Sequence, residues 1–160
     1  MNSNFNAFNL HPTVAAGVTA AGYVHPTPIQ TQAIPPVMQG QDVMGLAQTG
    51  TGKTAAFVLP ILNRLLAGGS SRGQVRALII APTRELAEQI HQAIDTLGRG
   101  TALKSATVYG GVGINPQIEI LKRADIVVAC PGRLLDHIGR RTVNLSHLEV
   151  LVLDEADQMF

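Results

Sequence analysis

Short apolar runs rich in β-branched residues recur along the chain, separated by polar turns and by helical patterns. Each run is too short for a helix and is apolar on both faces, which is typical of strands buried inside a parallel sheet. The pattern therefore predicts strands at residues 42–46, 76–80, 105–109, 125–129 and 149–153.

Amphipathic helical patterns lie between these runs. Apolar residues recur at i, i+3, i+4 and i+7 over residues 58–66 and again over 86–97. Thr83 is placed to cap the second of these helices, and a glycine follows each of them. Upstream, Pro12 and Thr27-Pro28 are typical first positions of two further helices. Alternating strands and helices predict an α/β fold with an open parallel sheet flanked by helices.

Composition indicates one folded domain. The 160 residues are 46% hydrophobic and only 14% charged, which supplies a core and argues against disorder. We expect a single domain over residues 1–160. No apolar run approaches the roughly 18 residues that span a bilayer, so we expect no membrane segment. The single cysteine, Cys130, cannot form an internal disulfide, which is compatible with a reducing cytoplasm.

Charge and aromatic content restrict the kind of partner. A formal net charge of +1 identifies none by itself. Six aromatic residues and no tryptophan are too few for a base-stacking platform. If the chain binds nucleic acid, it should hold the sugar–phosphate backbone rather than read bases.

A phosphate-binding loop is the strongest chemical motif. Residues 47–54 read Ala-Gln-Thr-Gly-Thr-Gly-Lys-Thr, between a predicted strand and a predicted helix. The glycines allow backbone N–H groups to wrap a phosphate, Lys53 would reach the β and γ phosphates, and the Thr54 hydroxyl would hold Mg²⁺. Ala47 replaces the usual first glycine, so the strand–loop–helix context supports the interpretation more than the bare pattern. The alternative is a glycine-rich turn without a ligand.

An acidic motif follows the last predicted strand. Residues 154–157 read Asp-Glu-Ala-Asp, at the carboxyl end where parallel sheets open their ligand crevice. Asp154 would orient Mg²⁺, and Glu155 would orient or deprotonate the water that attacks the γ-phosphate. Alone, such residues more often start a solvated helix. Together with the phosphate loop they indicate a nucleoside triphosphatase.

With these motifs in order, the chain resembles the first RecA-like domain of a bacterial DEAD-box RNA helicase, from about Phe5 onward. Gly22-Tyr-Val-His-Pro-Thr-Pro-Ile-Gln30 resembles the Q motif, with Phe5 as its upstream aromatic. The resemblance divides the chain into a Q-motif region, residues 1–40, and a phosphate-loop core, residues 41–160. It implies that Gln30 recognises adenine and that the nucleotide site is formed by Phe5, Tyr23, Gln30, Thr49, Gly50, Thr51, Gly52, Lys53 and Thr54.

Three further motifs resemble the RNA-binding motifs of this family. They imply sequence-independent contacts to the backbone of single-stranded or duplex RNA by Pro82, Thr83, Arg84, Gly110, Gly111, Pro131, Gly132 and Arg133. Arg84 could instead pair with Glu88 one helical turn on. The family usually has threonine where this chain has Cys130, whose thiol is a weak donor. The resemblance also implies that Asp157 couples the nucleotide and RNA sites.

The resemblance implies that parts of the enzyme lie outside these residues. A complete helicase continues with a Ser-Ala-Thr motif, on a strand between the phosphate-loop and Asp-Glu-Ala-Asp strands, and with a second RecA-like domain carrying arginine fingers. We therefore expect a gap in the sheet unless another strand fills it, and ATP binding with weak or absent turnover. The implied setting is the cytoplasm, with ATP and Mg²⁺ as cofactors. The alternative function is a non-enzymatic nucleotide- and RNA-binding regulatory module.

Overall fold

The computed structural model describes residues 4–69 and 73–159. They form two compact units, each with its own internal contacts. The described residues of the helical unit lie within Met1–Gly69 and Ala93–Ala102, and those of the sheet unit lie within Ser70–Gln92 and Leu103–Phe160.

The helical unit begins with a short 3-10 helix, Phe5–Phe8, and continues with α1 (Pro12–Ala20), α2 (Pro28–Met38) and α3 (Lys53–Ala67). The predicted starts are confirmed, because Pro12 and Pro28 occupy first helical positions where a missing N–H costs nothing. Gly22 follows α1 with φ +83°, a left-handed conformation suited to glycine. The predicted apolar stripe of α3 is confirmed at Val58, Ile61, Leu62 and Leu65, which are buried, whereas Leu66 is half-buried.

The sheet unit contains four short parallel strands, β1 (Ala77–Ile80), β2 (Ser105–Val108), β3 (Ile126–Ala129) and β4 (Val150–Leu153), in the order β2-β3-β1-β4. Leu78 aligns with Val127 of β3 and with Leu151 of β4, which places these three side chains on one face. The predicted parallel α/β sheet is confirmed, and the apolar runs of β1 and β3 are buried as such sheets require.

The remaining helices are α4 (Arg84–Leu97), α5 (Ile114–Leu121) and α6 (Pro131–Gly139); residues 93–97 of α4 belong to the helical unit. Thr83 caps α4 as predicted, because its hydroxyl accepts the Leu86 N–H at 3.2 Å. Leu121 of α5 and Leu134 of α6 pack into one cluster with strand residues. The buried members of this core are Val75, Leu78, Ala106, Val108, Leu121, Ala124, Val127, Ala129 and Leu134.

The sheet has an open edge at β4. This strand pairs with β1 on one side, and no described strand pairs with its other side. Leu151 and Leu153, which lie on the same face of the sheet, are 54% and 48% exposed. The resemblance implies that the Ser-Ala-Thr strand of the family would pair with β4, and this stays a prediction.

The strand predicted at residues 42–46 is wrong. This segment has no strand conformation, and Met44 and Leu46 are 92% and 94% exposed. An extended segment becomes a strand only when a neighbour satisfies its backbone N–H and C=O groups. Residues 42–46 have the apolar composition of a buried strand, but no described strand pairs with them.

Candidate nucleotide and RNA-backbone sites

The phosphate loop has the backbone conformation that its glycines predict. Gly50 and Gly52 adopt φ values of +85° and +83°, and α3 begins directly afterwards at Lys53. The Thr51 hydroxyl donates to the Gln48 carbonyl at 2.6 Å and tightens the turn. A helix N-terminus of this kind presents N–H groups to an anion. The loop therefore has the conformation that phosphate binding requires, although no strand precedes it at residues 42–46.

Gln30 connects the Q motif to this loop. It is 3% exposed, its Oε1 accepts the Thr27 N–H at 3.0 Å, and its Nε2 donates to the Gly52 carbonyl at 3.1 Å. A side-chain amide has two hydrogens and two lone pairs, so one donor and one acceptor remain for adenine. The predicted adenine contact stays a prediction. Through its hydrogen bond to the Gly52 carbonyl, Gln30 also stabilises the turn at which α3 begins.

The two aromatic residues of the predicted nucleotide site lie together. The rings of Phe5 and Tyr23 are 6.0 Å apart, and Phe8 meets Phe5 edge-on at 5.7 Å. Phe5 is buried, whereas Tyr23 is 41% exposed. A cleft of about 600 Å³ lies beside both rings and is lined by neither Gln30 nor the phosphate loop. Tyr23 is therefore accessible to a ligand, whereas the Phe5 ring packs against Phe8 and Tyr23.

Replacing Gly52 by alanine should weaken binding of an ATP analogue at least about 10-fold. A Cβ at this position would lie 2.4 Å from Gln30 Nε2 and 2.9 Å from Thr27 Oγ1, so the Gln30 contact must break. Gly40→Ala is the matched control, because Gly40 has φ +81° and no atom within 4 Å of the added Cβ. Titration with a fluorescent ATP analogue measures both. Equal affinities of the two variants would contradict the proposed link.

In the sheet unit, the remaining motifs lie along one edge of the sheet, the one formed by the carboxyl ends of its strands. Gly110-Gly111, Pro131-Arg133, Pro82-Arg84 and Asp154-Glu155 follow β2, β3, β1 and β4 respectively. Since the strands are parallel, their carboxyl ends meet at the same edge, where such sheets bind ligands. The sequence-predicted RNA residues are therefore brought together with the acidic motif.

Arg84 lies over the ring of Tyr109, with its guanidinium carbon 4.9 Å from the ring centre. The Tyr109 hydroxyl donates to Glu88 Oε1 at 2.7 Å, which raises the pKa of Tyr109. Glu88 therefore accepts a hydrogen bond from Tyr109, whereas Arg84 stacks on the Tyr109 ring; this is not the Arg84–Glu88 pair considered above. A stacked guanidinium keeps its in-plane N–H groups available, and this geometry favours a phosphate contact by Arg84.

Arg133 is engaged within the protein. Its Nη1 and Nη2 each lie 3.0 Å from the Val112 carbonyl, to which they donate, and Nη1 also donates to Gln117 Oε1 at 3.1 Å. Its Nε lies 3.9 Å from Asp136 Oδ2. The sequence predicted a phosphate contact for Arg133, and the structure additionally shows it bound to the loop after Gly111. Gln117 was not predicted from the sequence, because a glutamine in a helical pattern gives no indication of burial.

Two acidic residues after β4 have distinct environments. Asp154 is 3% exposed, and its N–H donates to the Ile80 carbonyl at 2.9 Å. Glu155 is partly exposed and adopts φ +50°, ψ +48°. The left-handed region costs a non-glycine residue roughly 1–2 kcal/mol, and such strain clusters at functional sites. The conformation turns the chain directly after the strand, and Asp157 follows on an exposed 3-10 turn.

Cys130 caps the N-terminus of α6 without a side-chain hydrogen bond. Burial raises the pKa of its thiol, and the Glu85 charge adds to the effect, so the group stays a neutral thiol. Among residues 4–69 and 73–159 no three His, Cys, Asp or Glu side chains cluster as a metal site. None of the described helices has the length and apolar character needed to cross a membrane.

Comparison with known proteins identifies the family. Residues 27–160 match the DEAD/DEAH box helicase family. The DEAD-box ATP-dependent RNA helicase CshA of Streptococcus pneumoniae is 49% identical over 156 residues, covering 97% of this chain and 29% of its own length. The ATP-dependent RNA helicase RhlB of Xanthomonas campestris is 46% identical over 162 residues, covering 98% and 28%. The chain belongs to the DEAD/DEAH box helicase family and spans less than a third of these relatives.

A solved structure agrees with this assignment. The crystal structure of a DEAD box protein from the hyperthermophile Methanococcus jannaschii superposes with a TM-score of 0.89 at 41% identity. The match covers 98% of this chain and 42% of that one. The fold is therefore the RecA-like domain of a DEAD-box helicase, as the sequence motifs imply.

Proposed function

We propose that this chain is the ATP- and RNA-binding part of an ATP-dependent RNA helicase, whose turnover requires a second RecA-like domain. The observation that carries the proposal is the common edge of the sheet unit, where the strand ends bring Arg84, the Gly110-Gly111 loop and the acidic motif together. Relatives that share nearly the whole chain are named ATP-dependent RNA helicases, which supports it.

The nucleotide would bind at the phosphate loop of the helical unit. Lys53 and the N–H groups after Gly50 would bind the phosphates, as in other glycine-rich loops that precede a helix. Gln30 would bind adenine with its remaining donor and acceptor, which favours ATP over GTP. Tyr23 and Phe5 complete the adenine side of the site.

Magnesium fits the donors that the chain provides. Mg²⁺ prefers oxygen ligands, and the Thr54 hydroxyl in the first turn of α3 and the buried Asp154 carboxylate are both of this kind. When bound, the ion would neutralise charge on the phosphate oxygens. Glu155 would orient or deprotonate the attacking water, and Asp157 would couple the nucleotide and RNA sites.

RNA would bind through its sugar–phosphate backbone. Glycine and proline residues at the strand ends bring backbone groups close to a phosphate, and Arg84 adds a charged donor. None of these groups reads a base edge, so binding should be independent of sequence. In the complete enzyme, local bending of the RNA strand would open a short duplex. We place this enzyme in the cytoplasm.

Replacing Arg84 by alanine should weaken binding of labelled single-stranded RNA about 10-fold and reduce the salt dependence by about one phosphate contact. Arg123→Ala is the matched control, because Arg123 is an exposed arginine outside the motifs. Fluorescence anisotropy with oligouridine and with a mixed-sequence RNA, at several stated salt concentrations, measures both effects. Identical losses for the two variants would count against the proposed groove.

A further inference from the structure

Two polar side chains outside every motif are buried beneath the Gly110–Gly113 loop. Gln117 of α5 is 6% exposed, and His137 of α6 is fully buried. A buried polar group is tolerated only when its hydrogen bonds are made, because it cannot use water. Their partners therefore define what these two residues do.

The orientation of the Gln117 amide follows from its surroundings. Its Nε2 donates to the Tyr109 carbonyl at 2.8 Å, while Oε1 accepts from Arg133 Nη1 at 3.1 Å and faces His137 Nε2 at 3.0 Å. The reversed amide would place a carbonyl against a carbonyl and an NH₂ group against a guanidinium. Only one orientation satisfies these contacts, so Gln117 is fixed.

The fixed amide also determines the protonation of His137. Because Gln117 Oε1 accepts only, His137 Nε2 must carry the hydrogen. Thr142 Oγ1 lies 2.7 Å from His137 Nδ1 and 3.2 Å from the His137 carbonyl, and its single hydrogen can serve either acceptor. With Nε2 carrying the ring hydrogen, Nδ1 is an acceptor and the nearer of the two. Burial lowers the pKa of His137, and the positive charge of Arg133 lowers it further. The neutral Nε2–H form therefore completes the network at neutral pH.

This network holds both sides of the paired glycines. Gln117 binds the carbonyl of Tyr109, directly before Gly110, and Arg133 binds the carbonyl of Val112, directly after Gly111. Gly110 and Gly111 are exposed, and neither has a side chain that could anchor it. The Tyr109 carbonyl and the Gly110 N–H belong to one planar peptide, so the Gln117 contact sets the direction of that N–H. The Val112 contact anchors the other end of the loop and so restricts the Gly111 N–H between them.

We propose that Gln117 and His137 are positioning residues for RNA binding, acting through Arg133 and the flanking carbonyls to preset the Gly110-Gly111 amides for a phosphate. This inference rests on the proposed RNA-binding function. Arg133 then contributes mainly by holding the loop, and Arg84 is the arginine that meets phosphate.

The Gln117→Glu variant tests the proposal with almost no change in size. The carboxylate keeps acceptors for Arg133 and His137 but has no hydrogen for the Tyr109 carbonyl. We expect about 10-fold weaker binding of labelled oligouridine, with affinity for an ATP analogue unchanged. Gln92→Glu is the matched control, because Gln92 is exposed on α4 and the charge change is the same. Equal RNA affinity of Gln117→Glu and Gln92→Glu overturns the proposal.

Two variants of His137 separate positioning from folding. His137→Gln can still donate near the Nε2 position, whereas His137→Leu cannot. We expect His137→Leu to weaken oligouridine binding and His137→Gln to recover most of it, with both binding the ATP analogue normally. The amide NMR signals of Gly110 and Gly111 should shift in His137→Leu and in Gln117→Glu, while those of Gly50 and Gly52 stay in place. Unshifted Gly110 and Gly111 signals would refute positioning even if affinity fell.

Oligouridine binding by the unaltered chain separates the RNA-binding function from the positioning role. If the unaltered chain binds no oligouridine at low salt, the proposed RNA-binding function fails and the positioning role fails with it. If the unaltered chain binds and the variants bind equally well, only the positioning role is wrong.

Discussion

Replacing Lys53 by alanine is expected to weaken ATP binding by this chain about 10- to 150-fold. A hydrogen bond to a charged group contributes roughly 1.5–3 kcal/mol, and the conversion of that range to affinity gives this factor. Lys53 is the first residue of α3, directly after the left-handed Gly52, so its backbone N–H lies at the helix N-terminus. Alanine is a strong helix former and removes the ammonium together with the alkyl chain that carries it.

Lys104→Ala provides the control for this experiment. Lys104 is exposed and belongs to no motif, so its removal changes the net charge equally without touching the phosphate loop. Calorimetric titration with ATP and Mg²⁺ measures both variants. If Lys53→Ala binds ATP as tightly as Lys104→Ala, the phosphate loop is not the nucleotide site.

Joining this chain to a second RecA-like domain with arginine fingers is expected to raise RNA-stimulated ATP turnover about 10³- to 10⁵-fold. The reason is that, in the proposed function, this chain supplies the groups that bind phosphate, water and Mg²⁺. The charge that develops on the transferred phosphoryl group needs a further cation. In the joined protein, Glu155→Gln should lower turnover about 10²- to 10⁴-fold and leave ATP binding intact.

Glu119→Gln is the matched control for the joined protein, because Glu119 is an exposed carboxylate paired with Lys122 at 2.7 Å. Release of phosphate with saturating RNA measures both variants. Turnover by Glu155→Gln at the control rate would remove Glu155 from the proposed chemistry.

Most of the fold could be predicted because it follows from local patterns. The apolar runs at β1 and β3 are buried on both faces, the Thr83 cap forms as its position predicts, and parallel strands necessarily bring the motifs to one edge. The resemblance then supplied the roles of residues whose individual chemistry left alternatives, such as Arg84.

The parts that could not be predicted depend on contacts distant in sequence. The run at residues 42–46 has the composition of a strand, but pairing is decided by a neighbour, and no described strand provides it. Gln117 and His137 lie 20 residues apart in the sequence. Only the packing of the folded chain brings Gln117 Oε1 to 3.0 Å from His137 Nε2. The left-handed Glu155 is likewise invisible in sequence, since glutamate has no preference for positive φ.

Steady-state ATP hydrolysis by this chain alone tests most directly whether turnover requires a second domain. Single-stranded RNA is titrated at a fixed, stated salt concentration. We predict a negligible rate that RNA leaves unchanged, together with measurable ATP binding that Lys53→Ala weakens. RNA-stimulated turnover that Glu155→Gln abolishes would show that the chain completes its own active site, and it would contradict the claim that turnover requires a second domain.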